Sequence, residues 1–345
     1  MMKEQNLKLL KKYYEEKKMN LSAYNNLVSL RYGEKQKNKK ERCKIEQKEK
    51  ISIVVPTYNR KEQLTECVES ILRQTYQNFE ILILDDSSNK DTYNIYNNHH
   101  DKRIKYFFNE KNLGIGLNRQ KGYNNTKGEY IIFCDDDDYF IDDQYFEKTI
   151  SIFKDNNINM ICSDSIMHYE TEDIYELNPI NIKGTIDAKK YLENFHFNYS
   201  KPNSTFCAIF RKKVLEKAKF EKMEMMNDTC IYLRALTIEG KCYFNNNIIG
   251  VYRIHGCNVT YNATAKFTID NFEEKKYILN CIENNTFDKK KWFEKQISIT
   301  ARHFFNGKEK RITEVNKVLQ WIKKNVSIKI YFKYLIVSIL RGFSK

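Results

Sequence analysis

From residue 51 the chain alternates short apolar runs with segments whose apolar residues recur every three or four positions. The run ISIVVP is rich in β-branched residues and ends at Pro56, which cannot continue a strand ladder, so it predicts a buried strand. The following KEQLTECVESILRQT repeats its apolar residues with the period of a helix, and FEILILDD is a second apolar strand. A strand, a helix and a strand in this order predict a βαβ unit with parallel strands.

The alternation continues with RIKYFFN as a third strand, GLNRQKGYNNTKG as a helix ended by glycine and EYIIFCD as a fourth strand. Outside this region the pattern differs. Residues 1–50 are polar, with Leu10 and Tyr14 at helical spacing, and residues 263–345 contain several amphipathic helical patterns. We therefore expect an α/β domain over residues 51–262, between a basic helical N-terminal extension and a basic helical C-terminal region.

Polar residues follow three of the predicted strands at their carboxyl ends. The first strand ends in PTYN, the second in Asp85 and Asp86, and the fourth in four consecutive aspartates, Asp135 to Asp138. In an open parallel sheet these ends meet at one edge, where ligands bind. Carboxylates crowded there with no basic residue nearby in the sequence need a cation, and oxygen ligands favour a hard ion such as Mg²⁺ or Mn²⁺. The alternative is a solvated acidic turn.

The segment NLGIGLNRQKG contains part of a dinucleotide-binding fingerprint. Its glycines lack the G-x-G-x-x-G spacing and do not lie in the first βα turn, which disfavours that interpretation. We instead expect Gly114 and Gly116 to start a helix or to let the backbone pass close to a ligand. Arg119, on the same helix, can reach a phosphate. The alternative is an ordinary surface arginine.

The net charge of +14 is unevenly distributed along the chain. Residues 1–50 contain 15 Lys and Arg against 7 Asp and Glu, residues 289–345 contain 15 against 3, and the segment between them contains 29 against 35. An acidic centre argues against nucleic-acid binding, which needs a basic surface along the phosphates. The basic ends can contact an anionic membrane surface, or they can simply be solvated.

The cysteine spacing and the sequence of the first residues indicate the cellular compartment. The nine cysteines occur singly and never as CxxC, which argues against a zinc or disulfide framework. The chain opens without the charged and apolar regions of a secretory signal. We therefore expect a cytoplasmic protein.

Several motifs occur together in the order and spacing of a known family. They are ISIVVPTYNR, CVESILRQTYQNFEILILDDSS, NLGIGLNRQKGYNNTKGEYIIFCDDDD, MMNDTCIYLRAL and YRIHGCNVT. Together they make the chain resemble the family 2 glycosyltransferases over roughly residues 51–260. The resemblance implies a GT-A fold, with a mixed and mostly parallel central sheet flanked by helices, and an inverting transfer of sugar from a nucleotide-diphosphate donor.

The resemblance also assigns residues to the donor. The family's loop after the first strand, which lies against the base and ribose, corresponds here to Pro56, Thr57, Tyr58 and Asn59. The aspartate that contacts the base corresponds to Asp86, and a carboxylate can accept the N–H of a uracil-type base. The resemblance therefore favours a UDP-sugar.

The family's D-x-D metal motif falls on Asp135 and Asp137, with Asp136 in the variable middle position. The resemblance implies that Asp137 is a direct ligand of a divalent metal, Mn²⁺ or Mg²⁺, and that Asp135 and Asp136 contribute to donor binding. His255, in YRIHG, matches a histidine that completes the metal or pyrophosphate site in several members, and imidazole suits Mn²⁺. The alternative for a lone histidine is a structural role.

Asp228, in MMNDTCIYLRAL, matches the second residue of an acidic pair whose second member is the family's catalytic base. Asn227 stands in the place of the first member. A base is needed because the acceptor hydroxyl has a pKa far above neutrality. The apolar spacing downstream predicts that Asp228 starts a helix, where the alternative role is an N-cap.

The resemblance implies a glycan or lipid-linked acceptor in cell-surface polysaccharide synthesis. A nucleotidyltransferase acting on sugar phosphates is disfavoured, because PTYNRKEQ lacks the glycine-rich loop typical of those enzymes. A non-catalytic nucleotide-binding module would need neither Asp137 nor Asp228. The basic, apolar segment SIKIYFKYLIVSILRGFSK is too short to span a bilayer. It suits a helix peripheral at the inner face of the membrane, or one packed against the domain or a second copy.

Overall fold

The computed structural model describes residues 2–16, 18–20, 23–27, 49–155, 157–256, 263–282, 287–307 and 310–341. Strands β1 to β10 comprise Ile51–Thr57, Phe79–Asp85, Ile104–Phe108, Tyr130–Phe133, Tyr139–Phe140, Ile158–Tyr169, Ile174–Leu177, Gly184–Asp187, Ala208–Arg211 and Lys241–Ile254. Helices α1 to α12 comprise Met2–Glu15, Lys61–Leu72, Asp91–Tyr96, Ile115–Asn124, Tyr145–Ile152, Ala188–Asn194, Lys212–Lys217, Asp228–Ala235, Ala265–Cys281, Lys289–Asn306, Ile312–Asn325 and Ile328–Arg341.

The ten strands form one sheet in the order β3-β2-β1-β4-β9-β6-β10-β5, with β7 paired to β6 and β8 to β10. β1 is parallel to β2 and β4, and β6 is parallel to β10. β9 is antiparallel to both β4 and β6, so it joins the two parallel halves. The longest ladders are parallel, and the sheet is therefore mixed and mostly parallel, as expected. The carboxyl ends of β1, β2 and β4 share one edge.

The predicted βαβ unit is confirmed by β1, α2 and β2. α2 buries Leu64, Val68 and Ile71 on one face. Pro56 does not end β1, which continues to Thr57. The β4 ladder extends only as far as Val54, so β1 has a single neighbouring strand beyond that point and tolerates a residue without an N–H.

Apolar side chains fill both faces of the sheet. Ile53 and Val55 of β1 belong to a cluster with α2 and α5 on one face, and Val54 belongs to a cluster on the other. The second cluster includes Phe272 of α9 and Trp292 of α10. The C-terminal helices therefore share the main core, with their apolar faces buried against the sheet.

The N-terminal helix α1 packs on the outer part of the sheet. Leu10 is buried there with Ile166 and Val251. Tyr14, which lies at helical spacing from Leu10, is 37% exposed, and the neighbouring Tyr13 is buried in this cluster instead. Of the predicted extension over residues 1–50, residues 28–48 lie outside the described residues.

The last helix, α12, packs through one side. Tyr334 is buried, stacks on Phe305 of α10 and donates a hydrogen bond from its hydroxyl to the carbonyl oxygen of Ser298 (2.5 Å). Within the segments that the structure describes, no helix is both long enough and apolar enough to cross a bilayer.

Candidate active site

The carboxyl ends of β1, β2 and β4 and the start of α8 line a cavity of about 740 Å³. That volume suits a nucleotide-sized ligand. Nine of the residues predicted from the sequence line it: Pro56, Thr57, Tyr58, Asp86, Arg119, Asp135, Asp136, Asp137 and Asp228. The other two lie beside it. Asn59 donates from its side-chain amide to the hydroxyl of Ser88 (3.2 Å), and His255 contacts the site through Asp137.

Asp86 organises the loop that leads into α4. Its Oδ1 accepts a hydrogen bond from Asn109 Nδ2 (2.6 Å), and its Oδ2 accepts from the backbone N–H groups of Leu113 (3.2 Å) and Gly114 (3.1 Å). Gly114, immediately before the helix, has a φ of 78°, a conformation that favours glycine. The predicted role of Gly114 in starting a helix is therefore confirmed.

Gly116 brings α4 against the segment that precedes α8. A Cβ atom at Gly116 would lie 2.2 Å from the backbone oxygen of Glu224. We expected the backbone at Gly116 to pass close to a ligand, but it passes close to this segment of the protein instead. The contact places Arg119, three residues further along α4, beside Met226, whose carbonyl oxygen accepts from Arg119 Nη1 (2.6 Å).

The four aspartates after β4 point to different partners. Arg119 donates to Asp135. Asp136 accepts from the hydroxyl of Thr57 (2.7 Å) and from Arg60 Nη1 (3.1 Å), while the same Arg60 nitrogen lies 2.5 Å from Asp137 Oδ2. Both arginines are distant from the aspartates in sequence, so the cluster has basic partners even though none was expected nearby in the chain.

Two further contacts complete the cluster. His255 Nε2 lies 2.9 Å from Asp137 Oδ2, and the hydroxyl of Ser204 donates to Asp138 Oδ2 (2.6 Å). Asp136 to Asp138 are each at most 6% exposed, so the alternative of a solvated turn is wrong. Asp135, Asp137 and Asp138 each offer a carboxylate oxygen within 4.8 Å of the others.

The aspartates differ in acidity. Burial raises the pKa of Asp136 to about 7, and the neighbouring charge of Asp137 adds to this shift. Burial also raises the pKa of Asp135 and of Asp138. In Asp137 burial acts in the same direction, but the hydrogen bond from His255 and the charge of Arg60 outweigh it and lower the pKa. Asp137 is therefore the member held most firmly as an anion.

Asp228 is the first residue of α8, as expected. The N-cap is its neighbour Asn227, whose Oδ1 accepts from the N–H of Cys230 (2.9 Å), so the capping role considered for Asp228 is wrong. The two carboxylate oxygens of Asp228 lie 3.7 Å from Arg119 Nη1 and 3.6 Å from Lys201 Nζ. Arg119 is 1% exposed, so it is not an ordinary surface arginine.

Among the residues that sequence reasoning missed are four charged side chains of the cavity and the aspartate cluster: Arg60, Asp138, Lys201 and Lys275. Arg60 directly follows the PTYN loop, and Asp138 is the last of the four aspartates, so both adjoined motifs that had been recognised. Lys201 lies in a loop with no periodic pattern. Lys275 carried a signal: it falls on the buried face of α9, where a helical pattern predicts an apolar residue.

Comparisons with known proteins agree with these observations. Residues 52–218 match the sequence model of the family described as Glycosyl transferase family 2. An uncharacterized glycosyltransferase of Rickettsia felis is 31% identical over 250 residues, which cover 67% of this chain and 37% of that protein. The GalNAc(5)-diNAcBac-PP-undecaprenol beta-1,3-glucosyltransferase of Campylobacter jejuni is 26% identical over 208 residues, 59% of this chain and 65% of that enzyme. The chain thus spans little more than a third of the Rickettsia relative.

Among solved structures, S. aureus TarS 1-349 in complex with UDP-GlcNAc superposes with a TM-score of 0.59 at 15% identity. The superposition covers 85% of this chain and 92% of that one. A likeness at this identity concerns the fold alone. It confirms the GT-A fold with a helical C-terminal extension.

Replacing Arg60 with glutamine should lower the free energy of unfolding by about 1–3 kcal/mol at neutral pH. Asp136 and Asp137 would lose their shared cation while remaining buried, and protonation of Asp136 would limit the loss. Urea unfolding measures the change. Lys61→Gln, at the neighbouring and only partly buried position whose ammonium group lies 3.5 Å from Glu62, is the control and should stay within about 0.5 kcal/mol of the wild type. Equal stability of the two variants would contradict the assigned role of Arg60.

Proposed function

The chain belongs to glycosyl transferase family 2, and from that premise we propose that it moves a sugar from a UDP-sugar to a hydroxyl of a glycan or lipid-linked acceptor, with inversion at the anomeric carbon. The observation that carries this proposal is that Asp86, three aspartates of the acidic cluster (Asp135 to Asp137) and Asp228 line one and the same cavity. Cell-surface polysaccharide synthesis is the role we propose for the reaction. The Campylobacter relative is named for an undecaprenol-linked substrate, which supports a lipid-linked acceptor.

We propose that the nucleotide base of the donor binds in the pocket formed by Pro56, Thr57, Tyr58, Asn59 and Asp86. Each carboxylate oxygen has two lone pairs. Asp86 Oδ2 accepts two backbone hydrogen bonds, whereas Oδ1 accepts one, from Asn109. Among the described residues, one acceptor position of Oδ1 therefore has no donor, and we assign it to the imide N–H of uracil. The bound UDP-GlcNAc of TarS supports a uridine donor.

The acidic cluster fits a divalent cation. Its oxygen donors from Asp135, Asp137 and Asp138 converge within 4.8 Å, and His255 adjoins Asp137. Hard oxygen donors with one imidazole suit Mn²⁺ or Mg²⁺. We propose Asp137 and His255 as ligands, with Asp135 and Asp136 on the donor side. When bound, the ion would offset the charge that develops on the departing nucleoside diphosphate.

For the proton transfer we propose Asp228 as the base. Its carboxylate lines the cavity, and Arg119 lies between it and Asp135. The guanidinium of Arg119 therefore fixes Asp228 relative to the acidic cluster. Its positive charge also suits the phosphates of the donor. An acceptor hydroxyl beside Asp228 would lose its proton to the carboxylate as it attacks the sugar.

The two other function classes fit less well. A nucleotidyltransferase would need a phosphate-binding loop after β1. In this chain only the residues from Tyr58 to Arg60 connect the end of β1 to the start of α2. A non-catalytic nucleotide-binding module would not need a carboxylate at the start of α8, facing the same cavity as the donor residues. Family membership also favours a transferase.

Asp228→Asn should remove sugar transfer while leaving donor binding unchanged, because the amide cannot accept the proton. The assay supplies a panel of nucleotide sugars with Mn²⁺ and acceptor extracts, and it measures the release of nucleoside diphosphate. We expect a loss of about 10²–10⁴-fold in rate. Full activity of the variant would exclude Asp228 as the base, and no release by the wild type with any donor would contradict the proposed reaction.

Asp137→Ala should abolish the part of UDP binding that depends on Mn²⁺ or Mg²⁺. Calorimetric titration of UDP, with and without metal, measures this difference directly. The wild type should bind UDP at least about tenfold more tightly with metal. Asp91→Ala, an exposed aspartate on α3, is the control and should behave as the wild type. A wild type that binds UDP equally well without metal would contradict the metal site.

We also propose that α12 binds an anionic membrane surface. Opposite Tyr334 the helix exposes Ile328 (59%), Phe332 (52%), Ile336 (54%) and Leu340 (80%), which lie at helical spacing on one side. Lys329 and Lys333 flank this side, and residues 289–345 carry a large excess of positive charge. An exposed apolar stripe with flanking lysines is typical of an interfacial helix.

Serine at Phe332, Ile336 and Leu340 together should abolish sedimentation with vesicles that contain anionic lipid. The wild type should sediment with anionic vesicles and much less with zwitterionic ones, since the lysines contribute to binding. Ile174→Ser, at an exposed apolar position away from α12, is the control. If the triple variant loses only self-association in size-exclusion chromatography, the stripe contacts a second copy, and the membrane proposal is wrong.

A further inference from the structure

Residues of α9 and α10, together with His196, line a part of the cavity that we call the inner arm. This inner arm is lined by Asn271 and Lys275 of α9, by Thr300 and His303 of α10, and by His196. Lys275 is only 1% exposed, and Asn271 is 4% exposed. The arm therefore contains a charged side chain that is almost entirely removed from solvent.

Lys275 has neutral partners. Its Nζ donates to the carbonyl oxygen of Gln296 (3.1 Å) and to the hydroxyl of Thr300 (2.5 Å). Among the residues that the structure describes, no carboxylate forms an ion pair with it. The adjacent Glu274 pairs with Arg234 instead (2.7 Å). A buried ammonium group without a counter-ion is costly, so its presence requires an explanation.

The hydrogen bonds around Lys275 leave donors unused. Thr300 accepts from Lys275, so the Thr300 hydroxyl hydrogen is the one donated to Asn271 Oδ1 (3.2 Å). This bond orients the Asn271 amide, and its Nδ2 has no acceptor among the described residues. Lys275 has three N–H donors and uses two. Two donor groups with spare hydrogens thus line the same arm, a combination that suits an anion.

The neighbouring titratable groups do not neutralise Lys275. Burial raises the pKa of the Cys230 thiol to about 12, so it stays protonated and neutral. Burial lowers the pKa of His196 to about 3 and also lowers that of His303. Burial lowers the pKa of Lys275 itself to about 8, so the amine is mostly charged at neutral pH. Among the described residues, these neighbouring groups therefore offer no negative charge to Lys275.

We propose that the inner arm binds an anionic group of the acceptor, a phosphate or a carboxylate, through Lys275 and Asn271. The assignment to the acceptor rests on the proposed function, because it takes the hydroxyl that Asp228 deprotonates to belong to the same molecule. Asp228 and Thr229 at the start of α8 line the same cavity as the arm. An acceptor with its hydroxyl beside Asp228 can therefore extend a charged group to Lys275.

The test uses the full chain and two simple probes, inorganic phosphate and acetate, at low ionic strength. Each probe is titrated while thermal unfolding is followed, and equilibrium binding is measured by calorimetry. Lys275→Met removes the charge and keeps the aliphatic length. Lys276→Met, on the same helix but bonded to Asn325 and outside the cavity lining, is the matched control. We expect Lys275→Met to weaken binding of the preferred anion at least about tenfold and Lys276→Met to leave it unchanged.

A second variant keeps the proposal testable if Lys275→Met does not fold. Asn271→Asp would supply the missing carboxylate beside Lys275, so it should raise the unfolding temperature of the ligand-free protein and abolish the response to the anion. A stronger response to phosphate than to acetate would assign a phosphate-bearing acceptor, and the reverse would assign a carboxylate. An anion response that persists in both Lys275→Met and Asn271→Asp would overturn the proposal, since the anion would then bind elsewhere, for example at Arg60.

The anion measurement is independent of catalysis. If the wild type releases nucleoside diphosphate but neither anion binds through Lys275, the inner arm is not an anion site and the proposed reaction still stands. If the anion binds through Lys275 but no donor is used, the site stands and the proposed reaction fails.

Discussion

The pairing of buried aspartates with two distant arginines is the interaction on which this site depends. Four consecutive carboxylates leave β4 at one edge of the sheet, three of them almost fully buried. Without Arg60 and Arg119 their mutual repulsion would oppose folding. Arg60 follows β1, and Arg119 lies on α4, which follows β3, so the charges balance only once β1, β3 and β4 have taken their places in the sheet. Folding of the sheet and assembly of the site are therefore one event.

This arrangement also explains why the four aspartates are not equivalent. Asp136 and Asp138 are engaged by the hydroxyls of Thr57 and Ser204, and burial keeps their pKa values high. The hydrogen bond from His255 and the charge of Arg60 lower the pKa of Asp137. A cluster that is only partly ionised is cheaper to bury than four full charges. It can still offer an anionic ligand at the position where Asp137 and His255 meet.

Elements with a clear period were predictable from the sequence, and long-range pairings were not. The β1-α2-β2 unit followed from alternating runs, and the edge that gathers Pro56, Asp86 and Asp137 followed from the rule for parallel strands. Nothing local indicated that Arg60 would contact Asp136, 76 residues away. The same holds for β9, whose antiparallel insertion between β4 and β6 depends on tertiary packing. On α1 the helical period alone did not show which tyrosine packs on the sheet, where Tyr13 is buried and Tyr14 is 37% exposed.

The main core joins two groups of elements that contribute different walls to one cavity. The strand ends β1, β2 and β4 form one wall, and α9 and α10, packed on the same face of the sheet, form the other. Substitutions in the helices can reshape their wall without disturbing the strand register. In terms of the proposed function, the acceptor can therefore change during evolution while the donor stays the same.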